Sequence, residues 1–510
     1  MSVFYTILHN QYRDSVTLMQ VSKRLLEDPA VKEASVVMAT PSNLEQLQRA
    51  GLPIDATPKP TDLLIVIDGD PQDESRLFEL AQHALTPQTV EATQEDMTLT
   101  SLAQAYQRHP DLNFALISVP GTYAAAEALK ALARGMNVML FSDNVSIKEE
   151  RFLKDYAHAH GLLVMGPDCG TAIIQGAPLG FANRVATGHI GIVAASGTGL
   201  QEVSCRITQL GGGISHALGT GGRDVKDTIG GITMIDALIK LQNDPSTHTI
   251  VIVSKPPAPA VLERVMEQVK ASAKPTIVHF LGAEESLLAP YASDTIHIAR
   301  HLAEAAHWAV TGEPLPAESN NLLVSQRTQL DSLRPGQRFI RGLFAGGTFN
   351  YETQLTLLSA GLAVSSNAPV HGASLIPEGA SRDVAGHAAW DMGDDTFTQG
   401  RPHPMIDPSL RNQFILEQAQ RDDTALILFD VVLGFGAHDN PLEGLLPVLE
   451  QIHQCQHPPI LVAHVCGTAL DPQNREAVIA QLQAHQVIVA PSNWHAAKLA
   501  TDFVRQINHS

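Results

Sequence analysis

The sequence predicts an α/β protein of layered, largely parallel sheets. Short continuous apolar runs recur along the chain, as strands buried on both faces require. Segments of helical composition, such as Tyr123 to Arg134, separate them. The length of 510 residues allows about three domains. Regular alternation of the two kinds of segment means doubly wound layers.

In chain order, the strand-like runs begin with Ser35–Ala39, Leu63–Ile67, Phe114–Ser118, Asn137–Phe141 and Leu162–Met165. Ile190–Ala194, Thr249–Val253 and Pro275–Val278 follow. The last three are Ala425–Phe429, Ile460–Ala463 and Val487–Ala490. The turn Thr187-Gly188-His189 restarts a sheet after Gly166-Pro167-Asp168-Cys169-Gly170. The polar stretch from Glu313 to Gln337 carries Pro314, Pro316 and Pro335 and reads as a linker. Domains are therefore expected over residues 1–186, 187–315 and 338–510, with the linker at 316–337.

Composition excludes several function classes. Hydrophobic residues make up 44% and charged residues 17%, which rules out a disordered chain. No apolar run approaches the roughly 18 residues of a membrane span. The N-terminus lacks the basic and apolar regions of a secretory signal. The formal charge of −19 argues against nucleic acid as a partner, since phosphate backbones demand concentrated positive charge. A small anion in a locally positive pocket stays compatible with it. Four cysteines without CxxC spacing fit a reducing compartment, so a cytoplasmic location is expected.

Five segments carry candidate chemistry. In Ile192–Gly199 a strand ends in the small-residue turn Ser196-Gly197-Thr198 and a helix follows. Backbone N–H groups and the helix dipole then point at one spot, which suits phosphate or carboxylate. Gly219–Asp224 combines Gly221 and Gly222, which let backbone approach a ligand, with Arg223, an anion clamp. Leu343–Thr348 repeats the first motif, with Gly346, Gly347 and Thr348 opening a second helix. Asp391–Pro408 is the densest polar cluster: Arg401 suits a carboxylate or phosphoryl group, His403 proton transfer, and Asp391, Asp394 and Asp395 a divalent cation. Leu433–Asp439 follows a strand; its His438 reads as a loop residue rather than a catalyst. Lys255 stands at another strand end as an anion contact. Cys169 and Cys466 also follow strands and read as free buried thiols. No Walker motif, zinc spacing or GxGxxG after the first strand appears.

Together these motifs resemble the FdrA family, relatives of the succinyl-CoA synthetase alpha subunit. The marks run along nearly the whole chain: Asp14–Met19, Phe141–Val145, Met165–Thr171, Ala195–Gly199, Gly219–Asp224, Ser254–Pro257 and Gly400–Pro408. The resemblance implies a Rossmann-like CoA-binding-type domain over 1–186, then two flavodoxin-like ligase domains over 187–315 and 338–510. It further implies that Ser196-Gly197-Thr198 and Gly346-Gly347-Thr348 match the two helix starts that converge on a phosphohistidine in the synthetases. The chain departs twice. Val278–Glu284 stands where the synthetases carry a Gly-His-Ala-Gly loop, and Asn10–Ser15 where they carry the CoA-binding turn.

A phosphate cradle without its phosphohistidine suggests a different phospho-anhydride. The family includes subunits of a carbamoyltransferase that interconverts oxalurate plus phosphate with oxamate plus carbamoyl phosphate, working with two other subunits. The expected function is that of such a subunit. His403, Arg401 and Arg223 are its catalytic candidates. Ser196, Gly197, Thr198, Gly221, Gly222, Gly346, Gly347, Thr348 and Lys255 are its phosphate- or substrate-binding candidates. Phosphate or carbamoyl phosphate is then substrate, no cofactor is certain, and CoA is a doubtful one. Small anions, other subunits of a hetero-oligomer and further copies of the chain are the expected partners. The competing readings are an ADP-forming acyl-CoA synthetase paired with an ATP-binding partner, and a non-catalytic anion-binding scaffold.

Overall fold

The computed structural model describes residues 2–11, 13, 15–85, 99–316, 329–377, 383–398 and 401–509. Tyr12, Asp14, Gln399, Gly400 and residues 317–328 of the expected linker lie outside that set. The chain divides into two compact units, residues 1–168 with 395–407 and residues 169–394 with 408–510.

The first unit holds two three-stranded sheets. Strands β1 (Ser2–Leu8), β2 (Val31–Met38) and β3 (Leu63–Gly69) form an antiparallel sheet in the order β1-β3-β2. The parallel Rossmann-type sheet expected from residue 1 is therefore corrected. The run Leu63–Ile67 is continuously apolar because β3 is the central strand and is covered on both faces. Leu63, Ile65 and Ile67 pack with Leu18, Leu25 and Leu77, while Leu64 and Val66 pack with Leu47 and Leu52. Burial on two faces produces the same apolar run whether neighbouring strands are parallel or antiparallel. Strands β4 (Phe114–Ile117), β5 (Asn137–Leu140) and β6 (Val164–Met165) form a parallel sheet in chain order. The helices Gly121–Leu132 and Ile147–Ala159 supply Ala124, Ala128, Leu153 and Ala157 to its core.

The second unit holds two seven-stranded sheets. The first is made of β7 (Thr171–Ile174), β8 (Ala177–Gly180), β9 (Thr187–Ala194), β10 (Ile214–Gly219), β11 (Thr249–Ser254), β12 (Thr276–Phe280) and β13 (Ile296–Ile298). Their order is β13-β12-β11-β9-β10-β7-β8. It is parallel apart from the β7–β8 hairpin, which the sequence reading missed and which starts the sheet ahead of residue 187. The second sheet comprises β14 (Phe339–Phe344), β15 (Val364–Ser366), β16 (Ser374–Leu375), β17 (His387–Asp391), β18 (Thr424–Val432), β19 (Ile460–Cys466) and β20 (Ile488–Ala490). Its order is β16-β15-β17-β14-β18-β19-β20, all parallel. Every residue of β18 and β19 is buried, as their apolar runs demand.

The halves of this unit share packing. Tyr351 and Leu355, on the helix Gly347–Ser359 of the second sheet, lie against the core of the first, beside Leu200, Val203 and Leu281. Tyr351 and Leu355 are half-buried, so each contributes less than the about 1.5–3 kcal/mol of a fully buried apolar side chain. This seam holds the two sets of strand ends in one place.

Candidate functional site

Both large sheets reverse their winding beside a motif singled out in the sequence. From β9 the chain runs outward to β10, then returns to β11 on the other flank of β9. In the other sheet β14 is flanked by β17 and β18. Open parallel sheets bind ligands outside the carboxyl ends of strands at such reversals. Ser196-Gly197-Thr198 follows β9 and opens the helix Gly197–Gln209. Gly346-Gly347-Thr348 follows β14 and opens the helix Gly347–Ser359. The first N–H groups of a helix have no carbonyl one turn back to accept them.

The two helix starts meet. Ser196 Oγ lies 2.5 Å from Thr348 Oγ1. The Thr348 N–H donates to Thr198 Oγ1 at 3.3 Å. Ser196 also caps its own helix by accepting the Gly199 N–H at 3.1 Å. Thr198 and Thr348 are buried, whereas Gly197 is exposed and Gly347 half-buried, so the junction opens to solvent at the glycines. Lys255, exposed at the end of β11, holds its ammonium 5.2 Å from the centre of the Tyr351 ring in the second turn of the second helix. Two helix dipoles and one cation thus bear on a small volume.

Two acids stand at the second helix start, and their positions were invisible in the sequence. Asp430 accepts the Ala345 and Gly346 N–H groups at 2.8 and 2.7 Å and pairs with Arg411 at 3.3 Å. Burial pushes its carboxyl up, against the pull of Arg411. Asp391 is closer still: a Cβ on Gly347 would lie 2.5 Å from its Oδ2, so a side chain there would have to push the carboxyl aside. Its backbone is held on both sides by Asn367, at 2.9 and 3.0 Å. Removal from water and the neighbouring Asp394 push the Asp391 carboxyl up to about 7, with Lys255 pulling the other way.

The remaining candidates divide. Gly221, Gly222 and Arg223 lie beyond β10, at the carboxyl edge of the same sheet. Gly221 needs its left-handed φ of 80°, and Gly222 is exposed. Asp224 is a buried cap: it accepts the Thr233 and Met234 N–H groups at 3.1 and 2.9 Å. Arg401 and His403 belong to the first unit, the helix starts to the second. Arg401 pairs with Glu33 of β2 at 2.6 Å. His403 accepts the Met405 N–H on Nδ1 at 3.2 Å. His438 likewise accepts a local N–H, from Asn440. His279, in the run that stands for the phosphohistidine loop, is buried with Nδ1 2.9 Å from the Ala299 carbonyl, and burial holds it down at about 4.

The expected cation site at Asp391, Asp394 and Asp395 is not assembled. Among the described residues the one converging group of three ligand-type side chains is Glu202, His464 and Cys466.

Comparison with known proteins follows the same architecture. Residues 343–503 match the CoA-ligase model and residues 186–282 the CoA binding domain model. Residues 1–100 match the model described as AllF, heavy metal-associated domain. The CoA-binding match therefore covers the segment read as the first ligase domain, and the first hundred residues, read as part of a CoA-binding-type domain, match the AllF model instead. Asn10–Ser15, read as the counterpart of the CoA turn, falls inside that AllF match. The AllF-type segment does not suit a heavy metal here. It contains no cysteine, the first being Cys169, and its described residues bring no three ligand groups together.

The chain is 40% identical over 517 residues to YahF of Escherichia coli (strain K12), covering 99% of each. It is 28% identical over 176 residues to the alpha subunit of the ADP-forming succinate–CoA ligase of Methanothermobacter thermautotrophicus, covering 34% of this chain and 58% of that one. A solved acetyl-coenzyme A synthetase 1 from Ca. Korarchaeum cryptofilum, in complex with phosphate and ADP, aligns at 15% identity over 82% of this chain and 87% of that chain, with a TM-score of 0.34. Among the described residues no helix is long and apolar enough to cross a membrane.

Proposed function

The chain belongs to the family of YahF, succinyl-CoA synthetase alpha-like proteins with CoA-binding and CoA-ligase domains, and on that premise we propose that it is the subunit of a carbamoyltransferase of the oxamate/oxalurate type. The observation that carries this reading is the 2.5 Å contact of Ser196 with Thr348, which joins two helix N-termini at the reversal points of two sheets. A phosphate entering there would displace that hydroxyl contact and take N–H donors from Gly197 and Gly347 together with the Lys255 charge. A phosphate oxygen then attacks the terminal carbamoyl carbon of oxalurate. The bond from that carbon to the oxamate nitrogen breaks, the nitrogen takes a proton, and carbamoyl phosphate and oxamate result. Donors preorganised at the helix starts stabilise the charge that develops on the transferred group. Arg223 serves the substrate carboxylate. Arg401 and His403 keep the roles of carboxylate partner and proton carrier.

The test is phosphate release from carbamoyl phosphate plus oxamate, with and without candidate partner subunits. Oxamate-dependent release is expected. Ser196→Ala combined with Thr348→Ala should lower it by about a hundredfold, the cost of losing an oxyanion-type donor. Arg401→Ala should lower it, with thermal unfolding read beside it because the pair with Glu33 is also lost; wild-type turnover in that variant removes Arg401 from the machinery.

A second reading is an acyl-CoA ligase working with an ATP-binding partner. The matches to the CoA binding and CoA-ligase models favour it, as does the relative named as an alpha subunit. ADP formation from ATP, CoA and succinate, with no oxamate-dependent release, would decide for it. Anion binding without turnover, every partner present, would leave a scaffold subunit.

A further inference from the structure

Below the helix starts, where the helix Gly197–Gln209 crosses β19, lies a cluster the proposed reaction does not use. One ligand atom from each of Glu202, His464 and Cys466 lies within 4.8 Å of the others. All three residues are buried, as is Cys205 one turn further along the helix. Glu202 Oε2 meets His464 Nε2 at 2.6 Å. Glu202 also draws the Asn493 N–H, yet Glu202 Oε1 and His464 Nδ1 meet no partner at hydrogen-bond distance although each is sealed from water. A buried ion pair kept only for cohesion would ordinarily have those atoms satisfied, because each one left alone costs about 1–3 kcal/mol.

We propose that Glu202, His464 and Cys466 form a buried zinc site that ties the two sheets of the second unit together. A carboxylate oxygen, an imidazole nitrogen and a thiolate are the donors zinc takes, and a structural site closes with a fourth. Cys205 is the adjacent candidate for it. On binding, the ion replaces the proton shared between Glu202 and His464, and the Cys466 thiol releases its proton to solvent. No electron is transferred. Calcium and magnesium are excluded by chemistry, since they take hard oxygen ligands. The ligands come from both halves of the unit, Glu202 from the helix after β9 and His464 and Cys466 from β19. The ion would therefore act as a clip beneath the anion site, contributing stability rather than chemistry.

The experiment uses the full chain purified without chelator and dialysed exhaustively against metal-free buffer. Elemental analysis is expected to find about one zinc ion per chain, as a closed structural site retains its metal. Cobalt exchanged into the protein should give a thiolate-to-cobalt charge-transfer band and the intense visible bands of tetrahedral coordination. Cys466→Ala and His464→Gln should each abolish the charge-transfer band or the zinc, while Cys455→Ala, at a half-buried cysteine outside the cluster, should keep both. Zinc well below one per chain that added zinc cannot restore would overturn the site. So would a cobalt derivative of the wild type without the thiolate band, a readout that does not depend on any variant folding. Zinc retained in both ligand variants would overturn it equally. Turnover of oxamate and carbamoyl phosphate is read separately, so the zinc site and the proposed reaction can fail independently.

Discussion

At Asp391 a carboxyl group and a helix N-terminus stand so close that a methyl group on Gly347 would collide with it. An ionised carboxylate there competes with any incoming anion for the same N–H groups, whereas a protonated one does not. Since this carboxyl titrates near 7, anion binding should weaken as pH rises through neutrality. Sulfate, whose own charge is constant over that range, is the probe. Calorimetry should show wild-type affinity falling by at most about tenfold per pH unit above 7, and Asp391→Asn should flatten that profile. Asp430 makes a stability prediction at the same scale. Removing its carboxyl by Asp430→Ala leaves Arg411 buried without its partner and two N–H groups unbonded. A loss of about 3–5 kcal/mol is expected in denaturant unfolding. Asp391 stood out in the sequence only as a candidate cation ligand and Asp430 not at all as a site residue, since each lies far along the chain from the glycines it serves. The glycines, Ser196, Thr198 and Thr348 were legible, because a strand followed by small residues and a helix is a local pattern.

Among the elements, the strand pair β9–β10 shows how closely two backbones approach at the amino-terminal edge of the sheet, opposite the site. A Cβ on Gly213 would sit 2.5 Å from the Thr187 carbonyl oxygen, and one on Gly188 would sit 2.6 Å from the Gly213 Cα. Gly213→Ala should therefore cost about 1–3 kcal/mol in thermal or denaturant unfolding, since backbone rather than a flexible side chain must yield. Gly222 is the contrast: nothing lies within 4 Å of its Cβ position. Gly222→Ala should leave unfolding unchanged, so any loss of turnover in that variant reports on the ligand and not on the fold. The β11, β12, β18 and β19 runs were read correctly from their apolar continuity. β1, the β7–β8 hairpin, β13, β15, β16 and β17 were missed, because β1 is only partly buried and the others are short runs of two to five residues. The antiparallel pairing of the first sheet was misjudged, since a strand covered on both faces looks the same in either pairing.

For the whole molecule, acid should be the destabilising direction. Burial holds His279, His387 and His495 down at about 4 and His301 at about 2. The unfolded chain binds protons at these sites from about 6.5 downward and the folded chain does not, so stability falls as pH drops from 6.5 toward 4. Glu352 and Asp391, both raised to about 7, act in the opposite sense: the folded chain holds those protons, so their cost appears as pH rises toward 7. Glu33, Asp430 and Asp471 are raised as well, but His297 and the carboxyls of Asp28, Asp62, Glu202, Asp244 and Asp423 are lowered and cost stability in acid with the four imidazoles. The balance is a net loss, each of the four imidazoles contributing at most about 1.4 kcal/mol per pH unit. Glu352→Gln removes one of the opposing carboxyls, so its stability relative to wild type should improve from pH 4.5 to 7. Urea midpoints measured across that range check both statements; a midpoint that rises on acidification would contradict the first.

The order of residues alone settled that this is an α/β chain with small-residue turns that open helices at strand ends. Apolar periodicity and strand–turn–helix chemistry are short-range properties written within a dozen residues. It did not settle which turns share a place, which carboxyls sit on their N–H groups, or that Arg401 pairs with Glu33 in one unit while the helix starts belong to the other. Those facts depend on strand order and on the seam at Tyr351 and Leu355, where residues some 150 positions apart are packed together by burial rather than by any pattern in the chain.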